Sequence, residues 1–357
     1  MKVKLFGLAA TIALATSVQG SFAQEVDFNG ERIEWTVPFK EGGGTDTWAR
    51  FFVSDVSEML PGQPTVVIKN VPGGGSINGA NQFDARAKSD GTSIFGSTAS
   101  TLFYYLLGDK RARYEPKSWR AVFATPTGGV LYTNPSLGIS SPEDLATTEV
   151  EFIFPSLGPT SLDLVPLLAM DMLGVNVRPV FGMDRSAGRL AFERGEVNID
   201  YQTSAPFIQK VMPLVNSGAA QPLLSWGVLD GEGNIVRDPS FPDLPTFNEV
   251  YERIHGEAPS GQAYDVWKTF FIAGFAAQKI MFLPSTATDS TLTAYRETME
   301  KVVNAPNFKE RASKAIGDYD QIVGNNVEAA TKMIFSLSEE DKKWIQNWLT
   351  QKYNVKF

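Results

Sequence analysis

The stretch "KEGGGTDTWARFF", Lys40 to Phe52, sets three consecutive glycines directly before an amphipathic run. Trp48, Phe51, Phe52, Val56, Met59 and Leu60 fall close to the i, i+3/i+4 spacing of a helix with one buried face. Thr45 or Asp46 is expected to cap that helix, because a short side-chain oxygen there accepts from the unpaired N–H groups of the first turn. Upstream, "RIEWTVPF" (Arg32–Phe39) reads as a buried strand. The same order then returns. "PTVVIKNV" reads as a strand, "NVPGGGSINGANQF" (Asn70–Phe83) supplies a second glycine turn, and a helix runs through Ala80, Phe83 and Ala87. "TSIFGSTAS" is a third short strand, ending in small hydroxyl residues. Strand–turn–helix units in succession define an α/β layout with a parallel sheet.

The pattern repeats less cleanly downstream. "GGVLYTNP", "VEFIFPSLGPTS", "NVRPVFG", "VNIDYQTS" and "QPLLSWGV" read as strands, with "LVPLLAMDML" and "AGRLAFERG" as helices between them. The turn-rich "LDGEGNIVRDPSFPDLPT" marks a boundary, and the C-terminal third reads as helical. Ligands of open α/β sheets sit at the carboxyl ends of strands. Four Gly/Ser/Thr-rich turns fall at such ends, at 41–46, 73–79, 97–101 and 156–161. Their regularity predicts a cleft between two α/β domains.

The chain of 357 residues suggests two domains by length. It opens with "MKVK", an apolar run "LFGLAATIALATSV" and small residues Ser21 and Ala23, the layout of a cleaved secretory signal peptide. The apolar run is shorter than the roughly 20 residues a membrane-spanning helix needs. An exported, soluble protein beginning near Gln24 or Glu25 is expected. Cysteine is absent, which excludes thiolate catalysis and cysteine-based metal sites. One histidine, His255, is expected at the surface; it cannot build a His-rich metal site. Removing Lys2 and Lys4 with the signal leaves 30 basic against 40 acidic residues, a net charge of −10. Such a balance argues against nucleic acid and anionic membranes.

The glycine turns do not fit the nucleotide-binding motifs. A phosphate-binding P-loop ends in Gly-Lys-Ser/Thr, which neither turn has, and the dinucleotide fingerprint would need glycine where Asn78 stands. A secreted hydrolase would need a nucleophile with a base in reach, and no G-x-S-x-G elbow is present. No catalytic residue, metal site or cofactor is therefore expected. What remains is capture of an anion by backbone. A helix N-terminus presents unpaired N–H groups and about half a positive charge, and glycine lets a ligand approach the main chain.

"PFKEGGGTDTWAR", "IKNVPGGGSINGA", "SDGTSIFGSTAS", "LAFERGEVNID" and "FPDLPTFNEV" resemble, in order and rough spacing, signatures of the solute receptors of tripartite tricarboxylate transporters, the Bug-type periplasmic binding proteins. The likeness covers nearly the whole mature chain. It implies a two-domain, periplasmic-binding-protein-like (Venus-flytrap) α/β fold with a central sheet in each domain and a ligand cleft between them. Expected boundaries are a signal peptide at 1–23, one domain over 24–125, a second over 126–227, and a return to the first with the C-terminal helices over 228–357.

Carried onto this chain, the resemblance implies that Phe39 and the Gly43, Gly44 and Thr45 backbone form one wall. Asp46 is expected to cap the helix and order water rather than touch an anion. Gly75 and Asn78 fall in the second turn, Thr98, Ala99 and Ser100 in the third. Gly158, Thr160 and Ser161 match the loop of the other domain, and Asp200 and Thr203 the cleft residues after the next strand. Two departures stand out. Pro166 puts the cap of its helix at Asp163 or later, since proline is harmless only where no helical N–H bond is lost. "FGMDRSAG" lacks the usual Tyr-Lys-Gly form, and Arg185 and Arg189 are expected at the surface. The implied function is a monomeric periplasmic receptor, not an enzyme, that gives a di- or tricarboxylate to integral-membrane transporter subunits. The alternative is a liganded co-sensor for a membrane signalling kinase.

Overall fold

The computed structural model describes residues 26–357, so the segment read as a signal peptide lies outside the described residues. Twelve strands are present among them: β1 (Arg32–Val37), β2 (Thr65–Asn70), β3 (Ser93–Gly96), β4 (Arg120–Thr125), β5 (Gly129–Thr133), β6 (Phe152–Ser156), β7 (Val177–Phe181), β8 (Ile199–Thr203), β9 (Gln221–Ser225), β10 (Val228–Leu229), β11 (Ile235–Val236) and β12 (Lys279–Leu283). Three helices follow the first three strands: α1 (Gly44–Met59), α2 (Ile77–Arg86) and α3 (Ala99–Leu106).

The first sheet has the order β2-β1-β3-β12-β4. β1 runs parallel to both β2 and β3, while β12 runs antiparallel to β3 and β4. The sheet is thus mixed, where a parallel one was expected, and the helical reading of the C-terminal third misses β12. The reason is local. Ile280 to Leu283 are all fully buried, so the strand shows no alternation, and it follows an apolar run that includes Phe270, Phe271 and Phe275. A short apolar run buried on both faces cannot be told from buried helix by period alone.

α1 packs one face of this sheet, where Trp35, Trp48, Phe52 and Phe123 are wholly buried together. Trp48 stands edge-on to Trp35 (5.4 Å) and stacks on Phe123 (5.6 Å). Its indole N–H donates to Thr125 Oγ1 at 2.7 Å. α2 and α3 pack the other face through Ala80, Phe83, Leu102 and Phe103, against Phe95. The helices after β1 and β3 therefore lie on opposite faces of adjacent strands. That is the topological switch point, where an open α/β sheet leaves a crevice at its carboxyl edge.

The strands that follow form three further sheets rather than one, the smallest an antiparallel pair of β10 and β11. β5 is flanked antiparallel by β8 and β9, and β6 pairs parallel with β7. β6 lies beside β8, but no ladder joins them. Pro155 in β6 has no N–H to give, and the Arg185 guanidinium fills the gap. Arg185 donates to the Pro155 carbonyl, to Tyr201 O (3.1 Å) and to Asp200 Oδ1 (2.7 Å), with Asp163 Oδ1 3.3 Å from its Nε. It also lies over the Tyr201 ring at 4.4 Å. A side chain replaces the missing rungs.

The surface expectation for Arg185 is thereby corrected: its only cationic position is inside a cluster of two buried carboxylates and two carbonyls. Arg189 is also drawn in, pairing with Glu193 one turn on, and its side chain is 17% exposed. His255 is exposed, as expected, against the Tyr251 ring.

Buried ion pairs that lose one partner are destabilised by about 3–5 kcal/mol, because the remaining charge stays uncompensated. Arg185→Met strands Asp200 and Asp163 and leaves two carbonyls unpaired. Urea unfolding is expected to show a loss in that range; a loss under 1 kcal/mol would mean that β6 and β8 hold without the guanidinium.

Candidate functional site

Parallel pairing brings the ends of β1, β2 and β3 to one edge, with their three turns. The first turn is organised by Asp46. The helix α1 is capped by Gly43, whose backbone is extended, and no side chain caps it. Thr45 and Asp46 are the second and third helical residues, which corrects the capping expectation. Asp46 instead reaches back from the first turn to accept from Gly42 N (2.8 Å), Arg50 Nε (2.8 Å) and Asn70 Nδ2 (2.9 Å). Asn70, the last residue of β2, also donates to Phe39 O at 2.9 Å, so it ties the first turn to the second strand. Phe39 is half-buried beside the α1 cluster. Burial pushes the Asp46 carboxyl up, but hydrogen bonds from Arg50, Gly42 and Asn70 outweigh it and hold the pKa below the usual value.

The second turn is left-handed at Gly73, Gly74, Gly75 and even Ser76 (φ 106°). A Cβ on Gly75 would lie 2.4 Å from the Tyr104 hydroxyl, and one on Gly73 2.3 Å from Asn78 Nδ2. Asn78 thus folds back over its own turn. The third turn is a capping box: Thr98 Oγ1 accepts from Ser100 N and Thr101 Oγ1 from Thr98 N, both 3.3 Å. The Ser100 amide is used there, while Ala99 N at the head of α3 has no intrahelical acceptor.

The fourth turn follows β6. Asp163 caps the helix Leu164–Met172, so Pro166 takes its third position, where no N–H bond is lost. The Asp163 carboxylate receives Ser156 Oγ (2.9 Å), Leu157 N (2.7 Å) and Tyr201 OH (2.7 Å). Ser161 donates its hydroxyl to Gly158 O at 2.6 Å. Thr160 N donates to no protein group among the described residues. Asp200 is wholly buried behind this turn, held by Arg185, Tyr132 OH (2.7 Å) and Gln202 Nε2 (3.2 Å). Burial raises its pKa despite the Arg185 charge. Thr203, half-exposed, pairs with Gly129 at the start of β5.

Two crossovers join the sheets beside these turns, and they touch: Thr127 N donates to Phe275 O at 2.9 Å. At Gly128 a Cβ would lie 1.7 Å from Asp238 Oδ2. Asp238 is fully buried and accepts from Tyr319 OH (2.9 Å) and Ser240 N (2.8 Å), and Ser204 Oγ meets the same phenol. This clasp and Tyr104 carry no sequence signal of their own, whereas Ser76 and Ser97, whose hydroxyls are unpartnered, fall within the second and third turns. Tyr104, whose hydroxyl lies against Gly75 of the second turn, lines a cavity of 230 Å³ with Thr160 of the fourth and with Val355 and Phe357.

One feature separates the glycines. Gly75 and Gly128 are required by the protein's own packing. A Cβ on Gly44 or on Gly158 would meet nothing within 4 Å, and neither has a positive φ. At neither position does packing or backbone conformation call for a missing Cβ. Among the described residues no group of carboxylates and histidine could hold a metal ion, and no helix is long and apolar enough to cross a membrane.

No family model and no curated protein matches the chain. Solved structures do. A TctC solute-binding protein from Polaromonas superposes with TM-score 0.64 at 14% identity, over 90% of this chain and 98% of that one. An R. palustris protein with adipate gives 0.62 at 18%, over 89% and 96%. MatC from Rhodopseudomonas palustris with bound malate gives 0.59 at 18%, over 88% and 98%. The periplasmic binding protein BugD gives 0.58 at 19%, over 90% and 97%. The chain has the two-domain α/β fold of these solute-binding proteins, the one the sequence resemblance implied.

The Asp46 bonds set a pH dependence. A carboxyl with a lowered folded pKa stabilises above its unfolded value, near pH 4, and loses that contribution as pH falls through the folded one. Asp46→Asn is therefore expected to melt below wild type at pH 7, with the gap closing below about pH 4. A gap independent of pH would mean that packing, not charge, holds the turn.

Proposed function

We propose that this chain is a non-catalytic periplasmic receptor for a small organic carboxylate, serving a membrane transporter of the tripartite tricarboxylate type. The observation that carries the reading is the pair Gly44 and Gly158, bare where neither fold nor packing needs glycine. They stand in the first and fourth turns, on two different sheets. In this reading the ligand lies between two units, one built on the first sheet and one on β5–β9. The first unit ends at 125, as the sequence suggests. The crossovers in this reading are 126–128 and 276–278, so the second unit runs past the boundary at 227 that the sequence suggested. A carboxylate meets the amides of Gly44, Thr45 and Ala99 at two helix N-termini, and the Thr160 amide from across the cleft. Phe39, Gly43, Gly75, Asn78, Thr98, Ser100, Ser161 and Thr203 shape the walls. Asp46 and Asp200 act from behind, by fixing turns.

Magnitudes support the reading. A hydrogen bond to a charged group contributes about 1.5–3 kcal/mol. Four or five of them cover the roughly −8 kcal/mol of a micromolar complex after ordering costs. Two of the similar structures hold malate and adipate, both dicarboxylates, which suits a cleft with donors on both sides. A signal peptide, export, action as a monomer and transfer to membrane subunits belong to the same proposal.

A thermal-shift screen of the mature protein against mono-, di- and tricarboxylates is the direct test, since a ligand of the native state raises Tm by mass action. A dicarboxylate is expected to give the largest shift; no shift with any of them overturns the reading. Thr160→Pro, which removes one amide donor, is expected to weaken that ligand at least tenfold in isothermal titration while leaving the ligand-free Tm near wild type. Unchanged affinity would take the fourth turn out of the site.

A further inference from the structure

Lys279 is the first residue of β12, and β12 runs opposite to its neighbours. Its start therefore lies at the edge where β3 and β4 end, between the third turn and the first crossover. Lys279 stands opposite Thr125 in the ladder. Thr125 turns its hydroxyl to Trp48 of α1, which places Lys279 on the face that α1 covers. The ammonium reaches the side-chain carbonyl of Gln278, the residue before it. Neighbouring residues along a strand point to opposite faces. A contact between these two therefore curls the ammonium toward the strand's end, at the rim, and the residue stays partly open to solvent.

Burial alone draws the Lys279 pKa down, to about 8, and no carboxylate pulls it back. The contrast with the rest of the molecule is sharp. Arg185 sits between Asp163 and Asp200, Arg311 bonds Asp55, and Arg120 bonds Asp289. Desolvating a charge without a partner is costly, so buried cations are normally paired. Beside Lys279, on the facing strand end, Ser97 is wholly buried with an unpartnered hydroxyl, and its amide binds Ile280 O at 2.9 Å.

We infer that Lys279 is the counter-charge of the bound carboxylate: its ammonium pairs with one carboxyl group of the ligand at the rim between the ends of β3 and β4. The inference rests on the receptor reading above and adds to it a cation that no sequence motif marks. A single half-buried ammonium with no carboxylate partner supplies locally the positive charge that the acidic chain lacks overall. Oriented amides fix the ligand's geometry, and Lys279 makes the site prefer an anion over a neutral isostere such as an amide or ester.

The test compares wild type, Lys279→Met and Lys279→Arg, each screened with acetate, succinate, malate and adipate and titrated calorimetrically with the best of these. Losing one partner of a desolvated charge pair weakens binding by about 30-fold or more. Lys279→Met is expected to show that loss, Lys279→Arg to recover part of it, and the diamide of the same acid to bind wild type and Lys279→Met equally weakly. Without ligand, Lys279→Met should melt at or above the wild-type temperature, because it removes a half-buried charge that no carboxylate balances. Equal affinity of wild type and Lys279→Met overturns this inference and leaves the receptor reading standing. A ligand-free Lys279→Met that melts well below wild type makes the residue structural and overturns it too. A wild type that binds none of the four acids sinks both readings.

Discussion

Parallel pairing of β1 with both β2 and β3 is the constraint from which the site follows. Parallel neighbours cannot be joined by a tight hairpin, so each connection must leave the carboxyl edge and return by a helix. Three turns and three helix starts are thereby delivered to one rim. The switch in helix face between β1 and β3 then opens a crevice among them. Had β1 met β2 antiparallel, the two glycine turns would stand at opposite ends of the sheet. Asn70 fixes the arrangement laterally, bonding Phe39 O and Asp46 from the end of β2.

The buried polar groups divide into those that hold the rim and those available at it. Asp46, Asp163, Asp200 and Asp238 are all buried, and each spends its oxygens on amides, phenols or a guanidinium of the protein itself. An acidic chain can present a site for an anion because its acids near the site are already saturated. They shape turns, and in the proposed site their charge lies behind the backbone donors rather than facing the ligand.

Much of the fold was legible because periodicity and punctuation agree in the first hundred described residues. The glycine turns, the i, i+3/i+4 run from Trp48 and the short apolar strands each point the same way. Legibility fails where tertiary context replaces local signal. β12 is buried on both faces and has no period. The gap between β6 and β8 depends on Pro155 meeting Arg185, 30 residues on, which no window sees. Within the candidate site, sequence marks glycines well but not their reasons. Gly75 exists for Tyr104 and Gly128 for Asp238, whereas Gly44 and Gly158 are free of both duties. Residue identity was the same in all four; only the surrounding atoms tell a packing glycine from an open one.

The core also limits how such a cleft could move. One continuous apolar cluster runs from Phe95, Leu102 and Phe103 on the first sheet through Phe270 and Phe275 to Phe152, Phe154 and Leu224 beyond the crossovers. Gly274 lies where a Cβ would be 2.9 Å from Leu162 and 3.2 Å from Phe103, so residues from both sides close on the same backbone atom. Wide opening would expose that cluster, at about 25 cal/mol for each Å² of apolar surface returned to water. A ligand shifts a conformational equilibrium only by its differential contacts with the two states. A hinge whose packed side resists opening therefore leaves more of the ligand's interaction energy as affinity, and less is spent on closing the cleft.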